Sequence, residues 1–329
     1  MALRENEQKG GLEASGFFQR LKLTSSTECV LGIILVTLFI LLAIATNKFL
    51  TVSNLANLAR QTSIVGIIAV GMTFVIISAG IDLSVGSVLA LGGIVGSMIM
   101  RDGYPIALAV VAAVAVGVVI GLINGVIIND LHVTPFIATL GMMYIVRSLV
   151  FLITNASYIS PLPKSFVNFA AASYFYIPSL FLIWILIVVV ASVVVKYTRL
   201  GRNVFAIGCN RECARLSGIN IRLNTYMVYV IVASLSGFAG VLTAGRLATG
   251  LPMAGVGYEL QVIAAVVVGG GSLFGGEGTI VGTLLGALLI ATIGNGGNLL
   301  GVNPHILNII VGCLIVLSVY IDQLSKRTR

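Results

Sequence analysis

The residues able to do acid–base, metal or thiol chemistry are few in this chain, and their spacing builds no enzyme centre. Two histidines, His132 and His305, lie far in sequence from the cysteine pair Cys209 and Cys213. The four cysteines form no disulfide framework, and we expect reduced thiols. With no histidine near the pair, the sequence predicts neither a metal site nor a catalytic residue.

A glycine-rich run, residues 269–278, resembles a phosphate-binding loop at first sight. No glycine in the chain is followed by lysine, so the G-x-x-x-x-G-K-[ST] loop is absent. The run lies between two apolar stretches, which favours a tight re-entrant turn with close backbone packing. We therefore expect a chain that is not an enzyme and holds no cofactor of its own.

Charged and polar side chains beside apolar runs are the remaining candidates, because burying them in a membrane is costly. Asp82 lies between two short apolar runs, either in a broken helix facing a cavity or in a turn that caps the next helix, which we favour. None of the charged groups has the character of a proton- or sodium-coupling acid. The candidate pathway or structural residues are Asp82, Ser84, Asn124, Glu259 and Gln261.

The composition points to a membrane. The 329 residues are 58% hydrophobic and 9% charged, against roughly 25% charged residues in soluble domains. This argues against a soluble enzyme, a disordered chain and a nucleic-acid-binding protein. The net charge of +8 is instead typical of basic loops that anchor membrane spans.

The apolar residues are organised in about ten runs, which predict an all-α polytopic membrane bundle of about ten spans, with eight if two short runs do not cross. We expect the first run to stay in the mature protein as a membrane anchor. The runs are Cys29–Thr46, Ile64–Ser78, Val85–Met100, Ile106–Ile128, Pro135–Thr154, Pro178–Val195, Thr225–Leu242, Leu260–Val268, Thr279–Ile293 and Ile306–Ile321.

Loop charges predict the orientation. Segment 196–222 carries six basic residues and one acidic residue, so we expect it in the cytoplasm. The N-terminal segment 1–28 and the tail 322–329 are also expected there, on either side of a single membrane domain, 29–321. The aromatic connection 155–177 then lies outside, and is either an interfacial belt or a docking surface.

The basic segment contains a candidate partner-binding element. Asn210 is placed to cap a short helix, Arg211 to Ser217, that ends at Gly218. A small apolar face on this helix could enter a groove on a partner, and a solvated anchor loop is the alternative. The face is formed by Cys213, Ala214 and Leu216.

Several stretches, taken in order from about residue 50 to residue 322, are similar to one family. The chain resembles the permease subunits of bacterial ABC importers for simple sugars, the ribose permease group in particular. The matching stretches are Gly71–Ile77, Gly80–Gly86, Pro135–Gly141, Thr198–Arg202, Ala206–Gly208, Arg215–Asn220, Gly257–Leu260 and Asn298–Val302. Gly271 and Gly297 depart from the family pattern, which leaves the identity of the sugar open.

The resemblance implies a half-transporter in the bacterial inner membrane, with a fold similar to the cobalamin-importer permeases. Two permease chains, as a homodimer, would line the path, and a soluble periplasmic or extracellular protein would deliver a monosaccharide. ATP and Mg would bind to cytoplasmic ATPase subunits. Those subunits would engage a coupling loop that includes Arg202, Asn210, Glu212, Ala214, Arg215, Ser217 and Gly218.

Three alternatives stay open at this point. The same importer type could carry another sugar or a sugar-like signalling molecule. An ion-driven secondary transporter would need an ionisable or carbonyl-rich site at mid-membrane, and carboxylates are scarce within the apolar runs. A membrane scaffold without transport activity is the third.

Overall fold

The computed structural model describes residues 27–327, which form thirteen helices and one small hairpin. Residues 1–26 and 328–329, and with them most of the predicted N-terminal segment, lie outside the described residues. The helices are α1 (Thr27–Ala45), α2 (Val52–Ile77), α3 (Val85–Arg101), α4 (Ile106–Asn129), α5 (Pro135–Thr154), α6 (Lys164–Ala171), α7 (Ser179–Tyr197), α8 (Arg199–Cys209), α9 (Arg211–Leu216), α10 (Ile221–Leu247), α11 (Tyr258–Val268), α12 (Ile280–Leu299) and α13 (Pro304–Arg327).

Each of the ten apolar runs corresponds to a helix, and the all-α membrane bundle is confirmed. Eight helices in the described chain are long and apolar enough to cross a membrane, whereas α3 and α11 are shorter apolar helices. Helix α2 begins twelve residues before the predicted run, because Thr51 caps it by accepting a hydrogen bond from the Asn54 N–H. Helix α13 likewise continues into the predicted tail.

The core of the bundle is α2, whose residues from Thr62 to Ile77 are all buried. Glycines bring the surrounding helices close to one another. A Cβ at Gly121 would lie 2.6 Å from the backbone of Val230, and one at Gly92 would lie 2.7 Å from the Cα of Gly237. Small residues allow such close approach in lipid, where dispersion contacts replace the hydrophobic effect as the force that holds helices together.

The two short helices both begin near one place inside the bundle. A Cβ at Gly86, in the first turn of α3, would lie 2.6 Å from the Glu259 carboxylate in the first turn of α11. The irregular chain before α11 is held by a bridge between Ile159 and Gly250. It is also held by Arg147, which donates to the carbonyl oxygens of Pro252 and Ala254, both at 2.8 Å. Arg147 thus faces protein, as a charge within a span must.

Both ends of the described chain lie on the same side of the bundle as the basic segment. Thr279 donates to Glu28 at the start of α1 at 2.8 Å, and Ser272 donates to Asp322 near the end of α13 at 2.7 Å. The turn that contains Ser272 also contacts the end of α8, through Cys209. The chain between α1 and α13 therefore returns to the side on which it started.

The connection on the opposite side carries α6 and a hairpin, β1 (Ser173–Tyr174) paired antiparallel with β2 (Ile177–Pro178). Its two turn residues project into solvent, with Phe175 97% and Tyr176 81% exposed. Arg60 of α2 donates to the Ala171 carbonyl oxygen at the end of α6 at 2.6 Å and to the Ser173 hydroxyl of β1 at 3.0 Å, and so holds this connection. Exposed aromatic rings suit either of the two expectations for this segment, a belt or a docking surface.

Candidate functional site

The predicted short helix of the basic segment is present as α9. The Asn210 carboxamide oxygen accepts a hydrogen bond of 2.9 Å from the Cys213 N–H, which satisfies a free donor of the first turn. Ser217 follows the last helical residue, and its hydroxyl donates to the Cys213 carbonyl oxygen at 2.9 Å. Gly218, at φ +80°, takes the left-handed conformation that ends helices without a Cβ penalty.

The apolar face predicted for α9 is divided by the structure. Ala214 is only 4% exposed, because α9 packs against α8 and α10 and directs this residue inward. Cys213 is exposed, and Leu216 is 74% exposed. A partner can therefore meet Cys213 and Leu216, whereas Ala214 is a packing residue of this chain. The prediction that Ala214 belongs to the outward face is wrong.

The polar residues of the basic segment remain accessible. Arg202, Glu212 and Arg215 are exposed, and the Arg215 Nε donates to Glu212 Oε2 at 3.1 Å. This hydrogen bond and the charge of Arg215 lower the pKa of Glu212. Because both side chains are solvated, the pair contributes little to stability. It orders the polar face of α9 at neutral pH.

The end of α8 meets two other segments at a backbone junction. The Gly276 N–H donates to the Ile77 carbonyl oxygen at 2.8 Å, and a Cβ on Gly208 would lie 2.6 Å from the Gly276 nitrogen. A Cβ on Gly275 would lie 2.7 Å from the Cβ of Ala79. The glycine run is thus a tight turn between α11 and α12, as expected. Its contact with the basic segment was not foreseen, since only the small size of Gly208 hinted at it.

A polar cluster stabilises the turn between α2 and α3. Asp82, Ser84 and Asn124 are all fully buried. One oxygen of Asp82 accepts from the Ser84 N–H at 2.8 Å and from its hydroxyl at 2.6 Å. The Asn124 amide donates to the Ser84 hydroxyl at 3.2 Å. Within the described residues, Asp82 thus accepts only from Ser84, the residue just before α3, and Ser84 makes no capping bond of its own. The turn is ordered by these bonds, but the prediction that Asp82 or Ser84 caps the free N–H groups of α3 is wrong.

The remaining two pathway candidates lie on α11, and the Glu259 carboxylate is close to Gly86 in the first turn of α3. Glu259 accepts a hydrogen bond of 3.1 Å from the Gly257 N–H, at the start of α11, where a carboxylate favours the helix N-terminus. Gln261 lines a separate cavity between α2, α11, α12 and α13. The structure therefore places Glu259 beside the turn that holds Asp82 and Ser84, and Gln261 in a separate cavity, so the five sequence candidates do not all meet in one site.

The described residues contain no group of three or more His, Cys, Asp or Glu side chains arranged to hold a metal ion. The four cysteines, all within the described residues, form no disulfide and are exposed. The chemistry that the described groups offer is hydrogen bonding and helix docking.

The apolar bundle, with eight helices in the described chain that are long enough to cross a membrane, defines a multi-pass membrane protein. Residues 54–319 match the family described as the permease component of branched-chain amino acid transport systems. The chain belongs to this family of membrane permeases.

Several curated permeases are similar along most of their length. The chain is 42% identical to the ribose import permease protein RbsC of Escherichia coli (strain K12), over 88% of this chain and 92% of that protein. It is 40% identical to RbsC of Bacillus subtilis (strain 168), over 87% and 89%. It is 36% identical to the D-allose transport system permease protein AlsC of E. coli, over 86% and 87%. No solved structure matches the chain significantly.

Proposed function

We propose that this chain is the membrane permease of an ATP-driven importer for a monosaccharide of the ribose type. The observation that carries the proposal is the 42% identity to a ribose import permease over 88% of this chain. The allose permease supports the same cargo class, as does a galactose/methyl galactoside import permease that is 39% identical. Another monosaccharide is the second candidate, favoured by these last two relatives.

The partners follow from the same assignment. Two copies of the chain form the path across the bacterial inner membrane, and cytoplasmic ABC ATPases hold ATP and Mg and supply the energy. A sugar-binding protein delivers cargo on the outer side. The contacts that join both described ends to the side of the basic segment support cytoplasmic termini, since basic segments face the cytoplasm.

The coupling step is proposed to start at α9. The exposed Leu216 and the Glu212–Arg215 pair offer an apolar contact with a polar rim, which is how a short helix docks in a groove. Helix α9 follows α8 directly, and α8 ends at Gly208 against the end of α2 and the glycine turn. A displacement of α9 is therefore transmitted to α2, α11 and α12, because the backbone contacts between them are tightly packed and cannot be compressed further.

The experiment is ATP-dependent sugar uptake by the purified complex in proteoliposomes, with ribose, allose, galactose and a branched-chain amino acid as competing cargoes. We expect monosaccharide uptake that requires ATP and survives collapse of ion gradients. Uptake driven by an ion gradient without ATP, or uptake of the amino acid alone, contradicts the proposal.

The docking role of α9 is tested with Leu216→Asp. The matched control is Leu131→Asp, a 64% exposed leucine in the turn after α4. We expect Leu216→Asp to reduce ATPase co-purification and stimulated ATP hydrolysis at least ten-fold, and Leu131→Asp to leave both near wild type. Equal effects of the two changes would remove α9 as the specific docking element.

A further inference from the structure

A cavity of about 430 Å³ lies between α2, α11, α12 and α13. This volume is within the range of small-molecule sites, roughly 300–1,000 Å³. Along α12 its lining extends from Ala287 to Asn298, a length of about 16 Å at 1.5 Å per residue. The cavity thus covers a large part of the depth of a bilayer core.

Four carboxamide side chains line this cavity, one from each of the four helices: Gln61, Gln261, Asn298 and Asn308. Within the described residues, none of the four makes a side-chain hydrogen bond. Lipid cannot satisfy such groups, and an unpaired amide in hydrocarbon is costly. Their donors and acceptors are therefore available to a polar ligand or to water.

Two of the polar lining residues lie near the outer end of the cavity. Asn298 is close to the end of α12, and Asn308 is in the first turns of α13, at the face opposite the basic segment. Apolar residues line the cavity at this end as well, among them Leu307, and also nearer the basic side, where Ala287 and Ile315 lie. A solute that enters from the outer face therefore meets carboxamide groups beside an apolar wall.

We infer that this cavity is the part of the sugar path contributed by this chain, and that its four carboxamides hydrogen-bond the hydroxyl groups of a neutral monosaccharide. The inference rests on the proposed function. A carboxamide both donates and accepts, as a sugar hydroxyl does, and no charged side chain lines the cavity in the described chain. The lining thus suits an uncharged polyol better than an amino acid, whose two charges would lack counter-charges.

The test uses cysteine substitution in the complete complex, with permease, ATPase and binding protein in proteoliposomes. The four native cysteines are exposed and are first replaced by serine, and ATP-driven sugar uptake is measured in that background. Asn298→Cys and Asn308→Cys are then treated with a membrane-impermeant methanethiosulfonate. The matched control is Ile309→Cys, a 64% exposed neighbour outside the cavity lining, which is about 100° around the helix from Asn308.

We expect modification of either cavity cysteine to reduce uptake at least ten-fold, and the transported sugar with its binding protein to slow that modification. The Ile309→Cys variant should keep its uptake after treatment. Inhibition that is equal at Ile309 and Asn308, or uptake that persists after complete modification of both cavity cysteines, overturns the assignment.

A second pair of variants covers the case in which a cysteine change prevents assembly. Gln261→Asn keeps a carboxamide in the cavity and Gln261→Leu does not, so uptake should be several-fold higher with asparagine. Equal uptake by the two variants also overturns the inference. If the background complex shows no ATP-driven sugar uptake, the proposed function itself fails. If uptake is present and these changes are harmless, only the cavity assignment fails.

Discussion

The backbone N–H of Gly276 donates a 2.8 Å hydrogen bond to the carbonyl oxygen of Ile77, which joins the glycine turn to the last residue of α2. Gly208, at the end of α8, packs against both partners of this bond. The proposed ATPase contact, the buried helix α2 and the α11–α12 turn are therefore linked within a few ångströms. Because Ile77, Gly208 and Gly276 meet through backbone atoms, these three residues offer no flexible side chain to absorb a displacement.

The junction predicts the effect of Gly208→Ala. The added Cβ would lie 2.6 Å from the Gly276 nitrogen and closer still to the Ile77 carbonyl oxygen, and overpacking of this kind costs about 1–3 kcal/mol. We expect a lower thermal midpoint of the purified permease and a loss of stimulated ATP hydrolysis. The control is Gly32→Ala, where an added Cβ meets nothing within 4 Å. If Gly208→Ala had the wild-type thermal midpoint, the backbone at the junction would be able to move and admit the Cβ without a loss of stability.

The cap of α9 predicts the effect of Asn210→Ala. The change removes the acceptor of the Cys213 N–H and should destabilise α9 by about 1 kcal/mol. We expect a roughly five-fold loss of stimulated ATP hydrolysis, since about 1.4 kcal/mol corresponds to a factor of ten. Asn210→Asp restores a capping oxygen and should restore the activity. If aspartate fails as alanine does, the carboxamide acts on the partner and not as a cap.

The buried turn predicts a graded response at Asp82. Asp82→Ala leaves the Ser84 N–H and hydroxyl without their acceptor, at a cost of about 1–3 kcal/mol for buried donors. Asp82→Asn keeps one acceptor oxygen and should cost less. The measurement is the thermal midpoint in detergent, and Asp102→Ala, at an exposed ion pair with Arg101, is the control. If the alanine and asparagine variants were equally stable, Asp82 would not be needed as the acceptor of the Ser84 hydrogen bonds.

The surroundings of Asp130 predict that the stability of the protein depends on pH. The Tyr226 hydroxyl donates to its carboxylate at 2.6 Å and, with Asn129 and Arg222, lowers the pKa of Asp130 from 3.8 to about 2. A carboxyl group whose pKa is lowered by folding stabilises the folded state at pH values above its ordinary pKa. This stabilisation is lost as the pH falls toward the pKa of the group in the folded state.

The stability difference between wild type and Asp130→Asn should therefore be constant from pH 7 to about pH 5 and shrink between about pH 4 and pH 2. Thermal midpoints of both proteins across this range provide the measurement. Tyr226→Phe removes the strongest donor to Asp130. The pH range over which the stability difference shrinks should therefore be narrower in this variant. A difference that grows as pH falls would contradict the sign of the pKa shift.

Much of the fold could be predicted because hydropathy and helix signals are local. The apolar runs predicted the helices, Asn210 and Gly218 predicted the ends of α9, and the glycine-rich run 269–278 predicted a tight turn. The boundaries were less certain, because α2 continues through polar residues once Thr51 caps it. The apolar face of α9 was misassigned at Ala214, since helical spacing does not say which side of a short helix packs inward.

The sequence by itself determined the membrane class, the helical content, the lack of a phosphate loop and the resemblance to sugar importer permeases. Only the tertiary structure decided that Ile77, Gly208 and Gly276 meet, that Asp82 and Glu259 serve different turns, and that four carboxamides line one cavity. The reason is physical. Hydropathy and capping depend on neighbours along the chain, whereas these contacts join helices that are far apart in sequence and approach only where glycine leaves room.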